Sequence, residues 1–294
     1  MKTLTSLAAA LIAAALCVLP AAAQTLKKVA DSNTVTVAHR EASVPFSYLV
    51  DGQPVGFAVD LTAAIVEDVR RVLQRPALSM RSVLVSGTTR IPLLVDGSID
   101  LECGSTTHTA ARGKEVSFAI SHFYTGTRLL VRSGSGIRNY ADLAGKAVSS
   151  VTGSTNEAVL RRISEERQLG VQMVLAKDYA EALALVERGD ALALALDDIL
   201  LFGLRANAAN PTALEVVGDA LQVEPYACMM RKDDPEFKAL VDGTITRLMS
   251  SGEFERLYAR WFMEAIPPRG AALTMPMSEA LRNNLRERSD QPAS

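Results

Sequence analysis

The chain has 294 residues, with 31 Lys and Arg against 33 Asp and Glu and a formal net charge of −2 at pH 7. This balance excludes the basic footprint of a nucleic-acid-binding protein. An apolar share of 48% beside 22% charged residues is that of an ordinary globular chain, and the length predicts two domains.

The first residues read as a targeting segment. Lys2 supplies a positive end, Leu4 to Leu19 is apolar, and Pro20 precedes the small residues Ala21-Ala22-Ala23. Residues 1–23 are therefore expected to be a secretory signal, too short for a membrane span. Leu16 before Cys17 argues against lipidation, which wants a small residue there. No other stretch approaches the roughly 18 apolar residues that a span needs. Export implies an oxidising compartment. Cys103 and Cys228 then remain, and one disulfide and two buried free thiols are both open readings. The Cys and His spacing fits no metal site, so neither metal nor cofactor is expected.

From Thr34 the elements alternate. Thr34–His39 reads as a strand and Asp60–Leu73 as a helix with Leu61, Ala64, Ile65, Val69 and Val72 on one face. A strand at Leu78–Val85, a short helix at Thr89–Val95 and a strand at Ile99–Cys103 follow. This order predicts an α/β fold with an open, largely parallel sheet. Thr127–Arg132 carries the chain into a second unit. There strands at Lys146–Ser150, Val171–Ala176 and Ala191–Leu196 alternate with helices at Ser154–Arg167 and Tyr179–Arg188. Pro225–Arg231 is the expected return strand, and Pro235–Ser250 and Glu253–Phe262 are helices. Two alternating units joined by two crossings make a clam-shell with its ligand between them. The hinges are expected at Tyr124–Arg128 and Val223–Ala227. In the tail, Met277–Arg288 reads as a weak amphipathic helix and Ser289–Ser294 as disordered.

Gly104-Ser105-Thr106-Thr107 forms a polar loop at a strand's carboxyl end, where an open α/β sheet places its ligand. Arg90 and Arg112 flank it, and each offers a planar fork suited to a carboxylate. Thr152-Gly153-Ser154-Thr155 precedes a helix, where free N–H groups bind anions or Ser154 and Thr155 act as caps. Asp197 ends an apolar strand and either faces the cleft or caps the next helix, a role open to Asp198. Phe46 and Tyr48 suit a cleft wall and a core equally.

These segments resemble the periplasmic solute-binding proteins of family 3, which serve polar amino-acid ABC transporters. The resemblance rests on His39-Arg40-Glu41, Val44 to Tyr48, Arg90 to Leu94, Glu102 to Thr107, Asp197-Asp198, Arg231 to Pro235 and Ile266-Pro267-Pro268, in order across nearly the whole mature chain. It implies a type II clam-shell whose C-terminal helices rejoin the first domain. Residues 24–125 with 228–294 then form domain 1 and 126–227 domain 2. It implies a periplasmic monomer that delivers glutamate or aspartate to a membrane permease. Arg112 would clamp the α-carboxylate with help from Ser105 and Thr107, Asp197 would take the ammonium, and Arg40 and Arg90 the side-chain carboxylate. Ser154, Thr155 and Tyr179 complete the site. Two positions depart from the pattern. Gly87 stands where relatives carry a ligand-binding serine, for which Ser86 is the substitute, and Tyr179 stands where they carry a histidine.

An enzyme on the same scaffold, of the prephenate-dehydratase type, is the alternative, and a sensory binding component would share the ligand chemistry. An enzyme would need a general acid or base, for which His39, His122 and Glu102 are the candidates. No nucleophile elbow, phosphate loop or metalloprotease motif occurs. The expectation is a binding protein.

Overall fold

The computed structural model describes residues 25–293; the expected leader lies outside them. In chain order the first elements are α1 (Thr25–Ser32), β1 (Thr34–His39), β2 (Ala42–Ser43), β3 (Ser47–Val50), β4 (Gln53–Val55), α2 (Phe57–Val72), β5 (Ser79–Leu84), α3 (Arg90–Val95) and β6 (Val116–Phe118). Then come β7 (Phe123–Arg132), β8 (Ala147–Val151), α4 (Thr155–Glu166), β9 (Gln172–Ala176), α5 (Tyr179–Arg188), β10 (Ala193–Asp197), α6 (Asp198–Asn207) and β11 (Leu214–Tyr226). The last are β12 (Met229–Arg231), α7 (Pro235–Ser251), α8 (Glu253–Tyr258), β13 (Ala265–Ile266), β14 (Ala271–Ala272) and α9 (Glu279–Glu287).

Successive side chains of a strand point to opposite faces, so a strand buried on both sides feeds two cores. The first lobe shows this. Val35, Val37, Leu101, Cys228 and Met230 join the core under α2, α7 and α8. Their neighbours Ala38, Ala227 and Met229 join a smaller core under α3, together with Ile99, which precedes the short strand. In the second lobe Leu130, Leu194 and Leu196 face α5 and α6. Leu129, Val131, Ala193 and Ala195 face α4.

The second lobe's sheet runs β11-β7-β10-β8-β9. β10, β8 and β9 are parallel, whereas β7 and β11 are antiparallel to their neighbours. The sheet is thus mixed, because the two antiparallel strands are the crossings from the first lobe. In the first lobe β1 and β5 are parallel. The expected strand Ile99–Cys103 shrinks to two residues: Leu101 bridges Val37 and Glu102 bridges Met229. The ladder is cut short because the Asp100 carboxylate, rather than a backbone carbonyl, accepts from Thr36 N at 2.9 Å. The expected return strand Pro225–Arg231 is also two pieces, broken at Ala227-Cys228. Cys228 is bonded there to Cys103, which decides between the two readings of the thiols.

Phe46 and Tyr48 are core residues. Phe46 is fully buried and packs edge-on against Phe57, Phe123, Tyr226 and Phe262. Tyr48 donates to Pro267 O at 2.8 Å.

The tail differs from expectation. Ser121 N donates to Ser289 O, and Ala293 N donates to His108 O at 2.8 Å. Asn284 on α9 donates to Ser121 O and accepts from Ser289 N, both at 2.7 Å. Asp290 pairs with Lys238 at 2.9 Å. Residues 289–293 are thus held by specific bonds that their polar composition does not reveal. Asn284→Ala removes two hydrogen bonds, one buried and one partly buried, and should cost roughly 1–3 kcal/mol, read as a lower urea midpoint with an unchanged slope. A change of only a few tenths would mean that the tail merely lies on the surface.

Candidate functional site

The Ser105–Thr107 loop is fixed from behind. The Cys103–Cys228 bond anchors its start. Ala227 N donates to Thr106 O at 3.1 Å, and His108 N donates to Pro225 O at 2.8 Å. Glu102 folds back beneath the loop, and both its oxygens lie 2.9 Å from the Thr106 hydroxyl that donates to them. Gly104 leaves room for this arrangement, since a Cβ there would come within 2.9 Å of Glu102 Oε1 and push it aside.

Three arginines converge in front of the loop. Arg40 follows β1, is 6% exposed, and stacks its guanidinium 5.2 Å from the Tyr179 ring centroid. Arg90 opens α3 and is 3% exposed. Its Nη1 donates to the Thr106 hydroxyl and lies 4.0 Å from Glu102 Oε1. Burial, then repulsion from Arg112, lowers the Arg90 pKa to about 10 against the pull of Glu102. Arg112 Nη1 donates to Thr107 O at 2.9 Å, and its Nη2 reaches across the cleft to Gly153 O at 3.1 Å. Burial lowers its pKa too, opposed first by Glu224 and then by Glu102.

The second lobe supplies the facing wall. Ser154 caps α4 by accepting from Glu157 N at 3.2 Å. Thr155, the next residue, turns its hydroxyl to Glu224. Asp197 ends β10 and is 3% exposed. Its Oδ2 accepts from the Tyr226 hydroxyl at 2.6 Å, and it makes no capping bond. Asp198 takes the helix start instead, accepting from Ile199 N at 2.6 Å. Burial, with Glu224 adding to it, pushes the Asp197 carboxyl up to about 8 despite the bond from Tyr226.

Between the shut lobes lies a narrow cavity of about 10 Å³. All the ligand residues expected from the sequence line it except Ser86. Ser86 lies in a separate pocket at the cleft mouth, shared with Arg40 and Tyr179. Its hydroxyl is engaged with those of Thr88 and Thr89 at 3.0 and 3.1 Å. Gly87 faces the cavity itself, where a Cβ would stand 3.3 Å from Thr152 O of the opposite lobe. Sequence reasoning missed Asn156, Glu224 and Tyr226. Asn156 was within reach of it, as the residue after Ser154-Thr155. Nothing in the β11 sequence marks Glu224 or Tyr226 as facing inward.

Neither candidate histidine lines the cavity. His39 contacts Ser82 Oγ at 2.6 Å and does not line the cavity. His122 is fully buried against Phe46 and Phe57, and burial lowers its pKa to about 3, so it is neutral. Among the described residues no His, Cys, Asp and Glu cluster could hold a metal.

A family model described as bacterial extracellular solute-binding proteins, family 3, matches residues 35–264. The L-glutamate/L-aspartate-binding protein of Pseudomonas aeruginosa is 40% identical over 299 residues, spanning 100% of this chain and 99% of that protein. The glutamate/aspartate import solute-binding protein of Salmonella typhimurium is 42% identical over 264 residues, 90% of this chain and 87% of that protein. Among solved structures, a mutant of the arginine-binding protein of T. maritima superposes with a TM-score of 0.72 at 27% identity, covering 82% of this chain and 100% of that one. An ancestral arginine-binding protein bound to arginine gives 0.69 at 26% identity, covering 78% of this chain and 98% of that one.

Proposed function

The chain belongs to the bacterial extracellular solute-binding proteins of family 3, and from that premise we propose that it captures an acidic amino acid, glutamate or aspartate, and delivers it to the permease of an ABC transporter. It is a binding protein and not an enzyme, as its curated relatives are. The dehydratase alternative is set aside with that finding.

The observation that carries the ligand assignment is a set of unpaired polar atoms. Arg40 Nη1, Arg90 Nε and Asp197 Oδ1 are buried with no hydrogen-bond partner among the described residues. All three residues line the same cavity. Each such orphan is costly, and a ligand that pairs them recovers that cost on binding. Two donors, and an acceptor once the incoming ammonium ionises the Asp197 carboxyl, match a side-chain carboxylate and an ammonium. Arg112, with the Ser105 and Thr107 loop, is left for the α-carboxylate. Tyr179 shapes the side-chain end, beneath Arg40. Ser154 and Thr155 contribute from the start of α4.

Residues 24–125 with 228–294 act as one rigid half and 126–227 as the other, in a periplasmic monomer that bends at the two crossings. Because the ligand's charged ends are held by different halves, it favours the closed form. L-glutamate at about 100 times its Kd should stabilise the protein by roughly 2.7 kcal/mol, a rise in melting temperature of roughly 5–10 °C. Small-angle scattering should show a smaller radius of gyration at saturation. An unchanged radius, or a melting point indifferent to every acidic amino acid, overturns this reading.

A further inference from the structure

One carboxylate lies where the two lobes meet and is absent from the ligand set. Glu224 sits on β11, two residues before its end, and is fully buried. Its Oε2 accepts from the Thr107 hydroxyl of the first lobe at 2.7 Å and from the Thr155 hydroxyl of the second lobe at 2.5 Å. The two hydroxyls are 3.4 Å apart. Its Oε1 accepts from the Gln222 side-chain amide. These hydrogen-bond partners are all neutral, and the nearby Arg112 guanidinium supplies the opposite charge.

We propose that Glu224 is a closure latch, a positioning residue on the crossing strand whose carboxylate is fully hydrogen-bonded only when the two lobes are shut. Thr107 belongs to the binding loop, which the Thr106–Ala227 and His108–Pro225 backbone bonds tie to the end of the crossing strand beside Glu224. Thr155 is the first residue of α4 and moves with the second lobe. Opening separates the two hydroxyls, so Oε2 keeps at most one of them. The lost bond is to an ionised acceptor and is among the stronger kinds. The latch therefore biases the lobes toward closure before any ligand arrives, and apparent affinity scales with the fraction already competent to bind. It also holds Thr107 and Thr155 at one fixed spacing on the cavity wall.

The ligand arm of the test rests on the acidic amino-acid reading, and the ligand-free arm does not. Glu224→Gln and the near-isosteric Thr155→Val are compared with the unmodified protein by small-angle scattering without ligand, and by calorimetric titration with L-glutamate. Both variants should expand without ligand and regain the unmodified radius at saturation. L-glutamate should bind roughly tenfold to a hundredfold more weakly. Without ligand the double variant should expand no further than the more expanded single one, because both break the same bond. An unchanged ligand-free radius in both variants, or fully additive expansion, overturns the latch. Expansion of the variants in a protein that ignores L-glutamate supports the latch and overturns the ligand assignment instead.

Discussion

Arg112→Ala is expected to cost roughly 2–5 kcal/mol of binding free energy for L-glutamate, a loss of about thirtyfold to several thousandfold. Arg112 already spans the closed cleft, from Thr107 O on one side to Gly153 O on the other. Burial has also stripped much of its hydration, as the lowered pKa shows. A guanidinium held this way meets a carboxylate without first losing water or ordering its side chain. Without it, the cation left at the Ser105–Thr107 loop is Arg90, already engaged by Thr106 and Glu102, and a carboxylate entering the cavity gives up its hydration with less in return. Arg112→Lys keeps the charge but loses the fork, so it should recover only part of the loss. Calorimetry on variants with unchanged circular dichroism is the check. Near-native affinity in Arg112→Ala would remove this residue from the site.

Glutamine should bind at least about a hundredfold more weakly than glutamate, or roughly 2.7 kcal/mol. A neutral amide leaves a buried guanidinium without its counter-charge and offers it an N–H₂ where an acceptor is needed. The two arginines should not share this discrimination equally. Arg90 has Glu102 at 4.0 Å and the Thr106 hydroxyl as a partner. Among the described residues Arg40 has the face of Tyr179 and keeps Nη1 unpaired. Arg40→Gln should therefore collapse the glutamate preference further than Arg90→Gln. Competition calorimetry with the two ligands measures the ratio directly. Equal binding of glutamine and glutamate by the unmodified protein would assign these arginines another role.

The parts of this molecule that were legible from its sequence are those fixed by local pattern. The apolar face of α2 and the strands feeding two cores follow from the periodicities of helix and strand. The convergence of Arg40, Arg90, Arg112 and Asp197 came from the family resemblance rather than from spacing, since four separate elements bring these residues together. What stayed hidden depends on long-range partners. The strand at Ile99–Cys103 is truncated by Asp100 bonding to Thr36 N, a contact between distant segments. The Cys103–Cys228 bond closes a separation of 125 residues, and composition alone could not choose it over two free thiols. Glu224 occupies a strand whose neighbours Gln222 and Val223 are more exposed, so nothing local marks it as the inward carboxylate. Ser86 and Gly87 are adjacent, and only the turn formed by Thr88 and Thr89 decides which of them faces the cavity.

The anchored tail sets an order of assembly. The first lobe is begun by α1 and β1 but is finished by β12, α7, α8 and the residues up to Ala293 that pair with His108 and Ser121. The β8–β10 unit with α4 and α5, by contrast, is one uninterrupted stretch of chain. Domains fold as units as the chain emerges, and contacts distant in sequence form late. The inserted half can therefore acquire its core while the chain is still growing. The enclosing half must wait until the residues up to Ala293 are made. A ribosome stalled shortly before α9 would hold a chain with a folded middle and unfinished ends, and limited proteolysis of such a stalled chain should leave the middle as the resistant fragment.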